Sequence, residues 1–289
     1  MSHCRAVLLS DRGVLRVAGA DTHKLLQGVI TNDLDKAQDG LAIHAGLLTP
    51  QGKILFDFFV VAQGDGFLIE VAKAEAAGLM KRLGFYRLRA QVEITEEPSL
   101  HVVAAWGGEP ALPEGAIAYA DPRLPELGVR VLLPAGETVA GLGCTEVTEA
   151  DYHALRIRLG VPEGGRDYAF GDAFPHDALF DQLNGVDFKK GCFVGQEVVA
   201  RMQHKATARK RIVPVEGDAP LQGGASIEAG GLPVGLIGSG DGAFGLALLR
   251  LDRVEQALGR DAPLMAGDVK ITLRRPDFAQ FDVPMAVPA

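Results

Sequence analysis

Along the first hundred residues, short apolar runs alternate with stretches whose apolar positions recur every three or four. Residues 6–9 and 14–17 flank Asp11-Arg12-Gly13 and predict a hairpin. Asp21 then sits where a helix N-cap belongs, ahead of Leu25, Leu26, Val29 and Ile30 on one helical face. A second hairpin is predicted from 43–48 and 54–61, which flank a turn at Pro50-Gln51-Gly52. A strand at 67–71, a helix from about 74 to 83, and strands at 92–95 and 101–106 complete the pattern. Gly- and Pro-rich loops fill 107–128 before a strand at 129–133. Thr148 and Asp151 form a capping box for a helix bearing Tyr152, Leu155 and Leu159, which stops at Gly160 with Pro162 beyond.

After Arg211 the texture changes. Apolar runs at 212–215, 234–237, 246–249 and 269–273 are separated by glycine-rich turns, with one helical stretch at 252–258. This spacing predicts a small β-barrel or sandwich of roughly 80 residues. The 36 glycines among 289 residues, mostly in isolated turn-like settings, fit a turn-rich, strand-rich protein. A 47% apolar content is enough to build a core, which excludes a mainly disordered chain. The net charge of −8 argues against binding nucleic acid or an anionic membrane over the whole surface.

The three cysteines, Cys4, Cys144 and Cys192, are odd in number and lack any C-x-x-C spacing. That pattern supports neither a disulfide framework nor a zinc ribbon, and it points to a reducing, cytoplasmic home. No apolar run is long enough for a secretory segment or a membrane span. The seven histidines show no metal-ligand spacing, so no metal site is expected. Gly238-Ser239-Gly240-Asp241-Gly242 follows a strand without a downstream helix and reads as a hairpin turn, not a phosphate loop.

The most unusual stretch is 189–211, with seven Lys or Arg and one acid. A basic island in an acidic chain suits an anionic partner, and equally suits a solvated face paired with acids elsewhere. Within it, Cys192 lies just ahead of a helical run at 196–204, between Gly191 and Gly195 and beside Lys189 and Lys190. The helix dipole and the lysines would favour the thiolate. A small buried core residue is the other reading of a free cysteine. The island carries only Phe193 as an aromatic, which argues against direct nucleic-acid binding by base stacking.

At Lys190-Gly191-Cys192-Phe193-Val194-Gly195-Gln196-Glu197 the sequence resembles the K-G-C-(Y/F)-x-G-Q-E signature of the YgfZ-like proteins, folate-binding relatives of the glycine-cleavage T-protein. Collinear pieces support the resemblance: Gly19-Ala20-Asp21, Leu26-Gln27-Gly28, Thr31-Asn32-Asp33, Leu48 to Lys53 with Asp57, Tyr86-Arg87-Leu88-Arg89, the 156–162 helix end, and Pro175-His176-Asp177. It implies an α+β fold in which 1–205 forms two subdomains interleaved in sequence around a central channel, the inner one about 50–140. It assigns 206–289 to the C-terminal barrel. Tetrahydrofolate in the channel and a role in assembling or repairing iron–sulfur clusters, with consequences for enzymes that modify tRNA, are further implications.

On this resemblance Asp177 accepts hydrogen bonds from the pteridine edge, and Lys190 and Arg201 meet the anionic glutamate tail. Tyr152 is either a ring-contacting aromatic or a core-facing residue of its helix. Cys192 is the functional thiol, a transient ligand of iron or a cluster or else a thiol-exchange centre. A single cysteine cannot hold a cluster alone, so partner or client proteins are implied. The T-protein's acidic pair is replaced at the gapless positions by Leu55 and Phe56, with Asp57 about 7 Å further along the strand. Loss of a positioned carboxylate costs an acid–base step about 100-fold or more, so binding without aminomethyl transfer is expected. The alternative is a folate-dependent one-carbon transferase that uses Asp57.

Overall fold

The computed structural model describes residues 4–205 and 208–285. The ends of the predicted regions at 1–3, 206–207 and 286–289 lie outside the described residues, as does the side chain of Lys205 in the basic island. The chain divides into two compact units, Met1–Tyr152 with Leu183–Gln196, and His153–Gln182 with Glu197–Ala289.

The first unit contains two five-stranded sheets. One runs in the order Ile43–Leu48, Ile54–Gln63, Gly66–Ala72, Arg12–Ala18, Glu93–Glu96, antiparallel throughout. Along Ile54–Gln63 the alternation of a strand sends Phe56, Phe58 and Val60 to one face. There they meet Leu25, Leu26 and Val29 of helix Thr22–Val29 and Leu79 and Leu83 of helix Ala76–Arg87. The other sheet runs Thr145–Glu146, Arg5–Leu8, Leu100–Trp106, Val129–Pro134, Ile117–Ala120. The two halves are interleaved in sequence, as the resemblance implies. The block that builds the first sheet described runs from 12 to 96, where an inner block of about 50–140 is expected.

Three expectations change here. Arg5–Leu8 and Arg12–Ala18 do not form a hairpin, because the intervening backbone is claimed by different sheets. Leu9 N donates to Val102 O at 2.8 Å, and Asp11 O accepts from Lys73 N at 2.7 Å. The 107–128 stretch, read as loops, contributes the strand Ile117–Ala120. Most consequentially, Cys4 and Cys144 form a disulfide with a Cα–Cα distance of 4.7 Å. Neither their number nor their spacing announces it. It arises because Arg5–Leu8 and Thr145–Glu146 pair in parallel with Arg5 opposite Thr145, which sets the preceding residues side by side.

The second unit is built on a closed six-stranded barrel, ordered Lys210–Gly217, Phe244–Arg250, Leu232–Asp241, Ser226–Ala229, Leu264–Ala266, Val269–Leu273. Helix Leu251–Leu258 contributes Leu251 and Val254 to the barrel core. The capping box forms as predicted: Thr148 N donates to Asp151 Oδ2 at 2.8 Å and Asp151 N to Thr148 Oγ1 at 3.3 Å. Gly160 ends helix Glu149–Leu159 at φ +81°, with Pro214 and Pro276 too close to admit a side chain without displacement. The predicted turn at 238–242 is partly strand. Ser239 anchors buried Arg156, whose Nη1 also pairs with Asp167 at 2.6 Å.

The Cys4–Cys144 bond closes a loop across a sequence separation of 140, which restricts the unfolded chain, and a disulfide of this kind contributes about 2–4 kcal/mol. Denatured without reductant, the chain is expected to show one reactive thiol, and with reductant three. Cys4→Ser is expected to lower the melting temperature by roughly 5–15 °C. Three thiols before reduction, or an unchanged melting temperature, would contradict the pairing.

Candidate functional site

The Lys190–Gln196 loop is fixed on both sides of an exposed Gly191-Cys192 pair. Asp187 Oδ1 accepts the backbone N–H groups of Lys189 at 2.6 Å and Lys190 at 3.1 Å, while its Oδ2 binds Lys36 Nζ at 2.6 Å. Lys190 Nζ donates to the carbonyl oxygens of Gln27 at 2.8 Å, Ile30 at 2.7 Å and Asn32 at 2.9 Å. These lie at and just beyond the C-terminal end of Thr22–Val29, where carbonyls lack helical partners and the dipole favours a cation. Burial pulls Lys190 down to about 8, against the attraction of Asp33 and Asp187.

Further along, Phe193 is buried under the Lys190 ammonium, 5.3 Å from its ring centre, and Val194 packs on the first unit's core. Gly195 has φ +81°, and a Cβ there would lie 2.5 Å from Thr49 O and 3.0 Å from Gly52 Cα. Only glycine fits that turn against the hairpin. Gln196 Oε1 closes the loop by accepting Phe193 N–H at 3.0 Å. Cys192, flanked by exposed Gly191, is left pointing its free thiol to solvent.

This geometry changes the role of Lys190. Its three protons are all donated to carbonyls, so none is left for a folate carboxylate, and its charge serves the helix end. Glu197 and Arg201 form an exposed i,i+4 pair at 3.2 Å on helix Gln196–Lys205. Arg201 thus remains at the surface.

Tyr152 is buried in the first unit, within a cluster that the sequence reading missed. Its hydroxyl accepts from Arg123 Nη2 at 3.0 Å and Arg130 Nη2 at 2.5 Å. Asp121 takes a bidentate pair from Arg123, at 3.0 and 2.8 Å, and a third bond from Arg130 at 3.3 Å. Glu70 accepts from Arg12 at 3.0 Å, Arg130 at 2.8 Å and the Tyr119 hydroxyl. All three guanidinium groups lie within 4.9–5.8 Å of the Phe59 ring centre. Burial alone would raise Asp121, yet Arg123 and Arg130 hold its carboxyl well below the usual range. Of the two readings of Tyr152, the core-facing one fits. The available signal was a lone charge inside an apolar strand, as at Glu70 and Arg130.

His44, buried beside the cluster, is lowered to about 4, first by burial and then by Arg123, and is therefore neutral at pH 7. Asp57 is half-buried on Ile54–Gln63, opposite Gly46.

Asp177 belongs to the second unit and is 5% exposed. Its Oδ2 accepts Phe174 N–H at 3.1 Å, and its carbonyl accepts Ile212 N–H at 3.0 Å, which ties it to the barrel. Burial pushes its pKa up to about 6. Since this lies above the unfolded value of 3.8, the group costs stability, and the cost is complete once the pH exceeds about 6. Nearby, His176 Nε2 meets Gln203 Oε1 at 3.0 Å, joining this segment to the helix that bears Arg201. A hollow of about 640 Å³ opens beside His176, Gln203 and the buried Arg211–Asp181 pair.

Residues 209–281 match the family model described as the CAF17 C-terminal beta-barrel domain. The chain is 33% identical over 282 residues to the human iron–sulfur cluster assembly factor IBA57, mitochondrial, covering 86% of this chain and 78% of that protein. It is 36% identical over 238 residues to the mitochondrial IBA57 homolog of Neurospora crassa, covering 73% of this chain and 54% of that protein. The chain thus spans about half the length of the fungal relatives. Its fold matches the glycine cleavage system aminomethyltransferase T from Bartonella henselae with a TM-score of 0.77, at 16% identity, over 96% of this chain and 87% of that one. The T-protein-type fold expected from the sequence is confirmed, whereas the relatives bear the name IBA57, not YgfZ. The cytoplasmic expectation is overturned, because these relatives are named as mitochondrial. No helix among the described residues is long and apolar enough to cross a membrane.

Lys190→Met keeps the aliphatic stem but strands three carbonyls, and is expected to destabilise the first unit by about 2–3 kcal/mol in denaturant unfolding. Lys190→Arg should not restore it, because a planar fork cannot reproduce three convergent bonds from one nitrogen. An unchanged midpoint in the Met variant would refute this role.

Proposed function

Because the chain belongs to the family of the iron–sulfur cluster assembly factors IBA57, we propose that it is a tetrahydrofolate-binding accessory factor for assembling or repairing iron–sulfur clusters. The observation that carries the reading is the exposed Cys192 thiol in a loop anchored on one side by Lys190 and on the other by Phe193, Gly195 and Gln196. A rigid loop presents a sulfur to an incoming cluster or iron without paying again to order the backbone. Four protein or thiolate ligands normally hold a cluster, so Cys192 supplies one and a partner or client protein supplies the rest. The cluster is cargo in this reading. Enzymes that modify tRNA with a cluster are the downstream beneficiaries, and direct contact with tRNA is not required.

For the folate half, Asp177 is the acceptor for the aminopyrimidine edge of the pteridine. Its raised pKa means that a paired donor would recover some of the stability lost on ionisation. Arg201, exposed on its helix, is the candidate for the glutamate tail.

In cells lacking the protein, the wild-type chain should restore the activity of cluster-dependent enzymes, and Cys192→Ala should not. Full restoration by Cys192→Ala would end the thiol reading. Titration of the purified chain with tetrahydrofolate should saturate, with Asp177→Asn weakening affinity about tenfold or more. Absence of saturable binding would remove the folate half. Formation of methylene-tetrahydrofolate from an aminomethyl donor, lost in Asp57→Asn, would replace it with the transferase reading.

A further inference from the structure

Helix Ala76–Arg87 turns Ala76, Leu79 and Leu83 into the first unit's core, with Met80 and Tyr86 packed beside them. Lys81 and Phe85, four residues apart, share the opposite side. Phe85 is 61% exposed, and Leu88, the residue that follows the helix, is 87% exposed. The Leu88 backbone lies at φ +46° and ψ −105°, where residues with a Cβ are rarely found. Such a conformation persists only where its surroundings over-determine it. Here Ala90 N donates to Arg87 O at 2.7 Å, and Arg87 Nη1 reaches over the turn to Val92 O at 3.1 Å. Gln91 N donates to Asp21 Oδ2 at 2.8 Å, and Asp21 N returns a bond to Gln91 O at 3.2 Å. The turn is locked, with a strained leucine held in solvent.

Residues 76–92 hold four cations, Lys81, Arg82, Arg87 and Arg89, and no acid. Among the described residues, none of the four has a carboxylate within ion-pair reach. The acids at the borders are distant, turned away or engaged. Glu75 stands at the other end of the helix, about 20 Å from Leu88. Ile94 packs on the core that the helix covers, so Glu93 beside it points to the opposite face of the sheet. Glu96 shares the face of Ile94 but lies about 10 Å beyond Glu93 along the edge strand. Asp21 is engaged by the turn itself.

We propose that this corner is a peripheral membrane contact, which seats Phe85 and Leu88 in the interface of a bilayer that carries anionic phospholipids. Shape favours a bilayer. The two side chains project, and a fluid interface closes around a projection that a second protein would need a matching pocket to cover. Charge favours anionic lipid, because the unpaired lysine and arginines meet phosphate headgroups while their aliphatic stems stay on apolar surface. A polynucleotide would satisfy the cations but would leave Leu88, which has no aromatic face for a base, in water. The net charge of −8 argues against lipid binding over the whole surface, and a local contact of this kind is compatible with it. The inference concerns the first unit alone and does not depend on Cys192 or folate.

The test is co-sedimentation of the full chain with phosphatidylcholine vesicles containing about a third phosphatidylglycerol, compared with vesicles of phosphatidylcholine alone. Binding to the anionic vesicles should saturate, weaken as salt rises, and exceed binding to the neutral ones at least about tenfold. Lys81→Glu with Arg89→Glu, and separately Phe85→Ser with Leu88→Gly, should each weaken it at least about tenfold. Glycine suits a positive φ, so Leu88→Gly alone should melt no lower than the wild type while losing vesicle affinity. That combination separates a surface contact from a packing role. No binding, equal binding to both vesicle types, affinity untouched by the substitutions, or a lowered melting temperature in Leu88→Gly would overturn the proposal. So would self-association abolished by Phe85→Ser, which would make a second copy the occupant, or tighter binding to single-stranded RNA or polyglutamate than to the anionic vesicles.

Discussion

A lysine ammonium has three protons, and Lys190 places all three on carbonyl oxygens at the end of helix Thr22–Val29. That arrangement satisfies acceptors which the helix leaves open, and it fixes the start of the loop whose next two residues are Gly191 and Cys192. Phe193 beneath the ammonium and Gly195 against the hairpin fix the other side. The exposed thiol is therefore a consequence of how its neighbours are buried. The residue that looks most like an anion ligand in the sequence is the one that holds the loop in place.

The first unit depends equally on charge taken out of water. Glu70 and Asp121 pair with three arginines stacked on Phe59, with Tyr152 bridging two of them. Burying such groups is costly unless every bond is made, and their retention at the cost of a simpler apolar core demands a close geometric match. Strands from both sheets contribute, since Glu70 and Arg130 come from different ones. The cluster thus sets how the sheets of this unit register with each other. A helix bearing Tyr152 is drawn into the same network.

Much of this was legible in the sequence, for identifiable reasons. The hairpin at Pro50-Gln51-Gly52, the capping box at Thr148 and Asp151 and the barrel strands are local events, written in turn residues and alternation. The octapeptide around Cys192 pointed to the loop that the structure exposes. What escaped was long-range. The disulfide needs a parallel pairing across 140 residues, and the misread hairpin at 6–17 needs knowledge that its strands enter different sheets. Lys190 is read as an anion ligand, and the two readings of Tyr152 stay open in the sequence, because side-chain partners 160 or 29 positions away decide their roles.

In the proposed function, the anchored loop offers Cys192 as a cluster ligand. Native mass spectrometry under anaerobic conditions tests it directly, with the chain mixed with a glutathione-ligated [2Fe–2S] complex. The wild-type chain should gain the mass of one cluster with glutathione completing its ligands, and Cys192→Ser should gain none. Equal uptake by the serine variant, or none by the wild type, would contradict the account.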